Sequence, residues 1–130
     1  MREIKFRAWD REKEKMYEVE NICFYGHKSV TLQYNPVIKK AIEDIEIMQC
    51  TGMKDSTGKE IYEGDIIKIN EEECYSGEHV GDVCFLDVGG CWYINGVRDG
   101  LADINRNYWI DVIGNIYENP ELLGGADDEN

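Results

Sequence analysis

A chain of 130 residues fits one domain and can bury a core without metal or disulfide staples. Its 42% hydrophobic and 11% aromatic content is too rich for a disordered chain. A net charge of −13 repels phosphate at long range and argues against general binding of duplex nucleic acid.

Residues 3–9, EIKFRAW, alternate. Ile4, Phe6 and Ala8 share one face, and Lys5, Arg7 and Trp9 share the other, which is the period of a half-buried strand. The charged stretch Asp10–Lys15 reads as a turn, and Met16–Phe24 as the partner strand of a hairpin. Trp9 falls on the polar face at the hairpin end, as a packing lid over the turn or as a binding aromatic. Val30–Tyr34 reads as a strand and Asn35-Pro36 as a break. Val37–Asp44 is expected to form a turn or short helix, because Val37, Ala41 and Ile45 share a helical face; loop plus strand is the alternative. Ile45–Thr51 is apolar and β-prone.

Lys54–Lys59, KDSTGK, has turn chemistry: Asp55 and Ser56 can bond nearby backbone, and Gly58 supplies a positive φ. Ile61-Tyr62 then enters a second turn, Glu63-Gly64-Asp65, which launches a strand at Ile66–Asn70. Glu71–Glu78 reads as a solvated acidic loop. His79–Leu86 and Cys91–Ile94 read as strands joined by a turn at Asp87–Gly90, and Asn95-Gly96 predicts a type I′ turn. Residues 97–107 are polar, with a helical turn around Leu101-Ala102. Tyr108–Ile113 is a strand, Gly114-Asn115 a turn and Ile116-Tyr117 a short extension. Asn119-Pro120-Glu121 starts a helical turn, with Asn as cap, Pro in the first turn and Leu122 and Leu123 docking on a sheet. Gly124–Asn130 is expected to be a tail.

Short strands separated by turn signals predict a mainly β fold, a small barrel or sandwich of mostly antiparallel strands. One domain is expected over residues 1–123. It divides into an N-terminal hairpin lobe, about 1–50, and a barrel-like lobe, about 51–117, followed by the acidic tail 124–130. No run approaches the roughly 18 apolar residues of a membrane span. The N-terminus lacks the apolar core of a secretory signal, so a cytoplasmic location in a bacterial cell is expected.

The search for chemistry yields one carboxylate cluster, Glu60, Glu63 and Asp65, with Tyr62 between them. Asp65 bonds turn amides and the glutamates face water, or the oxygens bind a divalent cation or cationic ligand. Together with Trp9 these residues form the candidate binding surface. No catalytic residues, metal or cofactor are expected. The five cysteines show no CxxC pair and read as buried free thiols. A nucleophile built from Cys74 or Cys84 with His79 has no local signature around it.

Charge is uneven. Residues 1–15 carry six basic and four acidic side chains, whereas Glu118–Asn130 carries five acids and no base.

Three segments together carry a resemblance: FRAWD at 6–10 with Lys15-Met16, MQCTGMKDSTGKEIYEGDI at 48–66, and VIGNIYENPELL at 112–123. In this combination the chain resembles the YopX-like family of phage and prophage proteins, over nearly its whole length. The resemblance implies a β-rich fold, a phage or prophage origin and possible homo-oligomers, and it carries no assigned catalytic residues. The expected function is a non-enzymatic binding or assembly module. Two alternatives stay open: an acidic mimic of nucleic acid that inhibits a basic protein, and a small hydrolase using Glu60, Glu63 or Asp65 with a divalent ion.

Overall fold

The computed structural model describes residues 3–70, 79–87, 90–97 and 99–123. The expected acidic loop Glu71–Glu78 with Cys74, part of the Asp87–Gly90 turn, and the tail from Gly124 lie outside them. The chain is mainly β, and it separates into two compact units, Met1–Cys50 and Thr51–Asn130.

In the first unit, β1 (Phe6–Asp10) and β2 (Lys15–Cys23) form the predicted hairpin, with Arg7 opposite Glu18 and Asp10 opposite Lys15. β3 (Ser29–Leu32) pairs with β2, β4 (Ile38–Ala41) pairs with β3, and β5 (Ile45–Lys54) pairs with β1, all antiparallel. The order is therefore β4-β3-β2-β1-β5. β1 lies inside this sheet, and its neighbours Arg7 and Ala8 are both buried. Successive side chains point to opposite faces, so the simple in-out alternation read over residues 3–9 does not hold. Ile4 precedes the strand and is exposed. Within Val37–Asp44, Ile38–Ala41 is a strand, as in the loop-plus-strand alternative, and the expected turn is confined to a short 3₁₀ stretch at Ile42–Asp44. Pairing with β3 overrides the helical face. Ala8, Tyr17, Val30, Leu32 and Ile45 make the core of this unit.

β5 runs past Cys50 into the second unit, where β6 (Glu60–Tyr62) is its neighbour. The second sheet has the order β10-β7-β8-β9, from β7 (Asp65–Asn70), β8 (His79–Leu86), β9 (Cys91–Ile94) and β10 (Trp109–Asn115). Both sheets are antiparallel, as expected, and of the expected barrel or sandwich the barrel is not formed, since neither sheet closes. The polar stretch 97–107 contains a helix, α1 (Leu101–Asn107). Leu101 and Ile104, three apart on one helical face, are fully buried with Ile67, Ile69, Val83, Ile94 and Ile110. The turn at Asn95-Gly96 is closed by the Val97 amide donating to the Ile94 carbonyl at 2.9 Å, and it has a positive φ (+91°) at Gly96 alone. Type I′ needs positive φ at both central residues, so this is a type II pattern, and it leads to α1 rather than to a hairpin partner. β10 extends to Asn115 through a bulge between Val112 and Gly114, where a turn was expected. Residues 121–123 are helical, but the Asn119 amide oxygen accepts from the Asn115 amide at 3.2 Å instead of capping them, and Leu122 is exposed.

Among the described residues no helix is long and apolar enough to cross a membrane.

Candidate binding surface

The sequence-predicted carboxylates sit at a turn that the fold holds tightly. Asp65 begins β7 almost fully buried, and its Oδ2 accepts the Tyr62 amide at 2.7 Å. Gly64 stands between them at φ +87°, a conformation that favours glycine. Its amide donates to the Val83 carbonyl at 2.9 Å, and its carbonyl accepts the Ile116 amide at 2.9 Å. The turn is thus fastened to β8 on one side and to the end of β10 on the other. Tyr62 is buried, and Glu60 and Glu63 are half-buried, each with further contacts. The structure brings Glu60, Tyr62, Glu63 and Asp65 together around this turn. Trp9 belongs to the first unit, half-buried on β1 opposite Met16 and Glu46.

Asp55, ten residues earlier, is consumed in the same way. Its Oδ1 accepts the Thr57 amide at 2.9 Å, the Thr57 hydroxyl at 2.8 Å and the Lys59 amide at 2.9 Å. Its Oδ2 accepts the Val112 amide at 2.9 Å. Ser56 donates its amide to the Ile110 carbonyl at 2.9 Å and accepts the Ile110 amide on its hydroxyl at 2.8 Å. The 55–59 loop therefore covers the outer edge of β10, which would otherwise present unpaired main-chain groups. Sequence reading recognised the turn residues here but not the strand they would protect, because that contact spans more than 50 positions.

The Cys84 thiol is not set up as a nucleophile. Burial pushes the Cys84 thiol up to about 11, and the carboxylate of Asp82 adds to the effect. A thiolate is therefore disfavoured, opposite to what a nucleophile needs. His79 stands five residues away on the same strand, roughly 17 Å at strand rise, with its Nε2 3.4 Å from the Asn95 carbonyl oxygen. Cys50 is buried and Cys84 half-buried as expected of structural thiols, but Cys23 and Cys91 are exposed, because they end β2 and begin β9. Among the described residues no group of three or more His, Cys, Asp or Glu is placed to hold a metal ion.

At the β1–β2 hairpin, Asp10 is fully buried and accepts the Glu12 amide at 3.0 Å and the Lys13 amide at 3.3 Å. Lys40 Nζ on β4 lies 3.3 Å from Asp10 and 2.8 Å from Glu12. Burial opposes ionisation of Asp10, but the two amides and Lys40 outweigh it and hold its pKa below the usual value. This is again a device of the fold: it fixes the turn and anchors β4 to it.

An accessible apolar cleft lies in the first unit. Ile4, Phe6, Val19, Ile22 and Phe24 line a cleft of about 440 Å³, with Glu18, Glu20 and Lys5 at its margin. Ile4 is 63% and Phe24 69% exposed, and both line the same cleft, so they form part of one apolar patch rather than isolated exposed side chains. Sequence reading placed Ile4 on an inward face and Phe24 in a strand. The signal that could have found them is their position just outside the strand limits, where pairing no longer buries them.

The charge divides by unit. Residues 1–50 carry nine basic and nine acidic side chains, so the first unit is neutral. Residues 51–130 carry five basic and 18 acidic ones and account for the whole −13.

A family model described as "YopX protein" matches residues 5–124. Among solved structures, the chain is similar to "Crystal structure of protein EF1440 from Enterococcus faecalis". That likeness has a TM-score of 0.71 and 27% identity, covering 95% of this chain and 99% of that one. No curated protein matches.

Proposed function

Since the chain belongs to the YopX family, we propose that it is a phage- or prophage-encoded binding or assembly module that works by contact rather than by catalysis, in the cytoplasm of the bacterial host. The observation that carries this reading is the apolar cleft of the first unit, with Ile4 and Phe24 exposed beside it. By contrast, Asp55 and Asp65, the best placed carboxylates for chemistry, already hold backbone amides. A hydrolase using Asp65 with a divalent ion gains no support from this geometry, since such an ion would compete with the Tyr62 amide for the carboxylate.

The test is affinity capture with the intact chain from infected cells, followed by the native mass of what is retained. A complex of defined stoichiometry, with itself or with another protein, is the expected result. A chain that stays monomeric and retains nothing overturns the reading.

The segregation of charge favours a second reading, an acidic mimic that occupies a basic protein through residues 51–130. Replacing the glutamates at 71–73 and the acids from Glu118 onward by their amides separates the two. Weakened capture supports the mimic, and unchanged capture removes it.

A further inference from the structure

β2 changes its pairing halfway along. From Lys15 to Glu18 it pairs with β1, and the ladder stops at Arg7 opposite Glu18. β1 stays with β5 beyond that point: Phe6 pairs with Gln49, and the Cys50 amide donates to the Lys5 carbonyl at 2.9 Å. β2 instead follows β3 as far as Cys23, and its register shifts between Val19 and Asn21, which leaves Glu20 as the extra residue of a bulge. A bulge bends and twists its strand. The sheet therefore opens as a fork, and the cleft is lined by both of its arms and, on the β3 side, by Gln33. Ile4 and Phe6 line it from the β1 arm, and Val19, Ile22 and Phe24 from the β2 arm. Among the described residues, no strand pairs with the β1-facing side of β2 beyond Glu18.

Resting on the binding-module reading, we propose that this fork receives an extended segment of a basic partner protein, added to β2 as a further strand. The two components of strand addition are present together: a main-chain edge that no described strand pairs, for affinity, and apolar walls to take alternate side chains. Residues 20–23 span roughly 13 Å at strand rise, enough for a segment of about four residues. Charge selects the occupant. Glu18 and Glu20, both exposed, line the cleft and outnumber its one basic residue, Lys5. The −13 of the chain lies in residues 51–130 and acts on a cationic partner at long range, whereas a second copy adding its own β2 would set Glu18 and Glu20 against the same pair, like charges that oppose the pairing. The segment recognised thus alternates apolar residues with Lys or Arg.

The probe is a synthetic eight-residue peptide alternating valine and lysine, added to the intact chain and followed by hydrogen exchange and calorimetry. Exchange of those amides in 19–23 that face away from β3 is expected to slow at least tenfold. The same peptide N-methylated at alternate residues, and a valine–glutamate peptide, are each expected to bind at least tenfold more weakly. Phe24→Asp, at an exposed position, and the surface pair Glu18→Lys with Glu20→Lys are expected to weaken binding to a similar degree. Equal binding of the N-methylated peptide, or protection confined to other residues, overturns strand addition. Equal binding of the glutamate peptide overturns the basic partner. Slowed exchange at 19–23 that grows with protein concentration in the absence of peptide makes a second copy the occupant and overturns the proposal. If a complex captured from infected cells survives Phe24→Asp combined with Glu20→Lys, the fork is not the site while the binding-module reading stands. If the intact chain captures nothing, it is that reading which fails.

Discussion

Asp55 accepts four hydrogen bonds from two loop amides, a hydroxyl and a strand amide, and its pKa reflects this. Burial by itself raises the pKa, but the Val112 amide, the Thr57 hydroxyl and the Lys59 and Thr57 amides outweigh it and leave the group below its ordinary value. The sign follows from linkage. A carboxylate depressed on folding stabilises the native state above its unfolded pKa, about 3.9, and that contribution fades as pH falls through the folded value. Asp55→Asn keeps the shape but turns an NH₂ group toward donors. It is expected to cost about 2–3 kcal/mol near neutral pH and to flatten the loss of stability on acidification, as urea titrations at neutral and acidic pH will measure. Equal pH slopes for the two proteins would rule this out. That Asp55 and Ser56 make a turn was legible from their short polar side chains beside Gly58. That they also cap β10 was not, because Ile110 and Val112 lie 54 and 57 positions away.

At the scale of elements, β8 and β9 depend on a close approach at Gly81. A Cβ there would stand 2.4 Å from the Asn95 carbonyl oxygen and 2.8 Å from Ile94 Cγ2. Gly81→Ala is therefore expected to cost more than about 2 kcal/mol, seen as a lower thermal midpoint in calorimetry. Gly58→Ala has open space around it and is limited to the strain of its positive φ. A Gly81→Ala protein as stable as the parent would show that β9 can shift away. Most strands were readable from alternation and turn residues, notably β2, β8 and β9. The exceptions have one cause: neighbours absent from the local sequence. β4 is a strand because β3 pairs with it, and α1 is a full helix because Leu101 and Ile104 find a core at β7, β8 and β10. In α1 the i, i+3 spacing of those two residues was visible, but the polar residues around it hid the apolar face.

For the whole molecule, charge and packing are distributed differently. Each unit has its own apolar cluster, but the excess of acid belongs to residues 51–130 alone. Self-repulsion at this density opposes the compact state and is screened by salt, since the Debye length falls from about 30 Å at 0.01 M to about 3 Å at 1 M. The intact chain is expected to gain several degrees in thermal midpoint between low salt and roughly 0.5 M sodium chloride. An unchanged midpoint would mean that the acids are already compensated by local contacts.

By itself the sequence determined the class of fold, the family, and the turns, because these rest on short-range properties: alternation, positive φ at glycine, and the backbone-bonding reach of Asp, Asn and Ser. It also placed Glu60, Tyr62, Glu63, Asp65 and Trp9 as residues of interest. Only the tertiary structure decided what they do. Asp65 is spent on the Tyr62 amide, and Trp9 lies on β1, in a different unit from the other four. The surface we propose lies at a fork that no local pattern announces. It exists because β1 keeps β5 while β2, bulged at Glu20, keeps β3. Which strand a strand abandons is a matter of long-range pairing, and periodicity within either strand does not carry it.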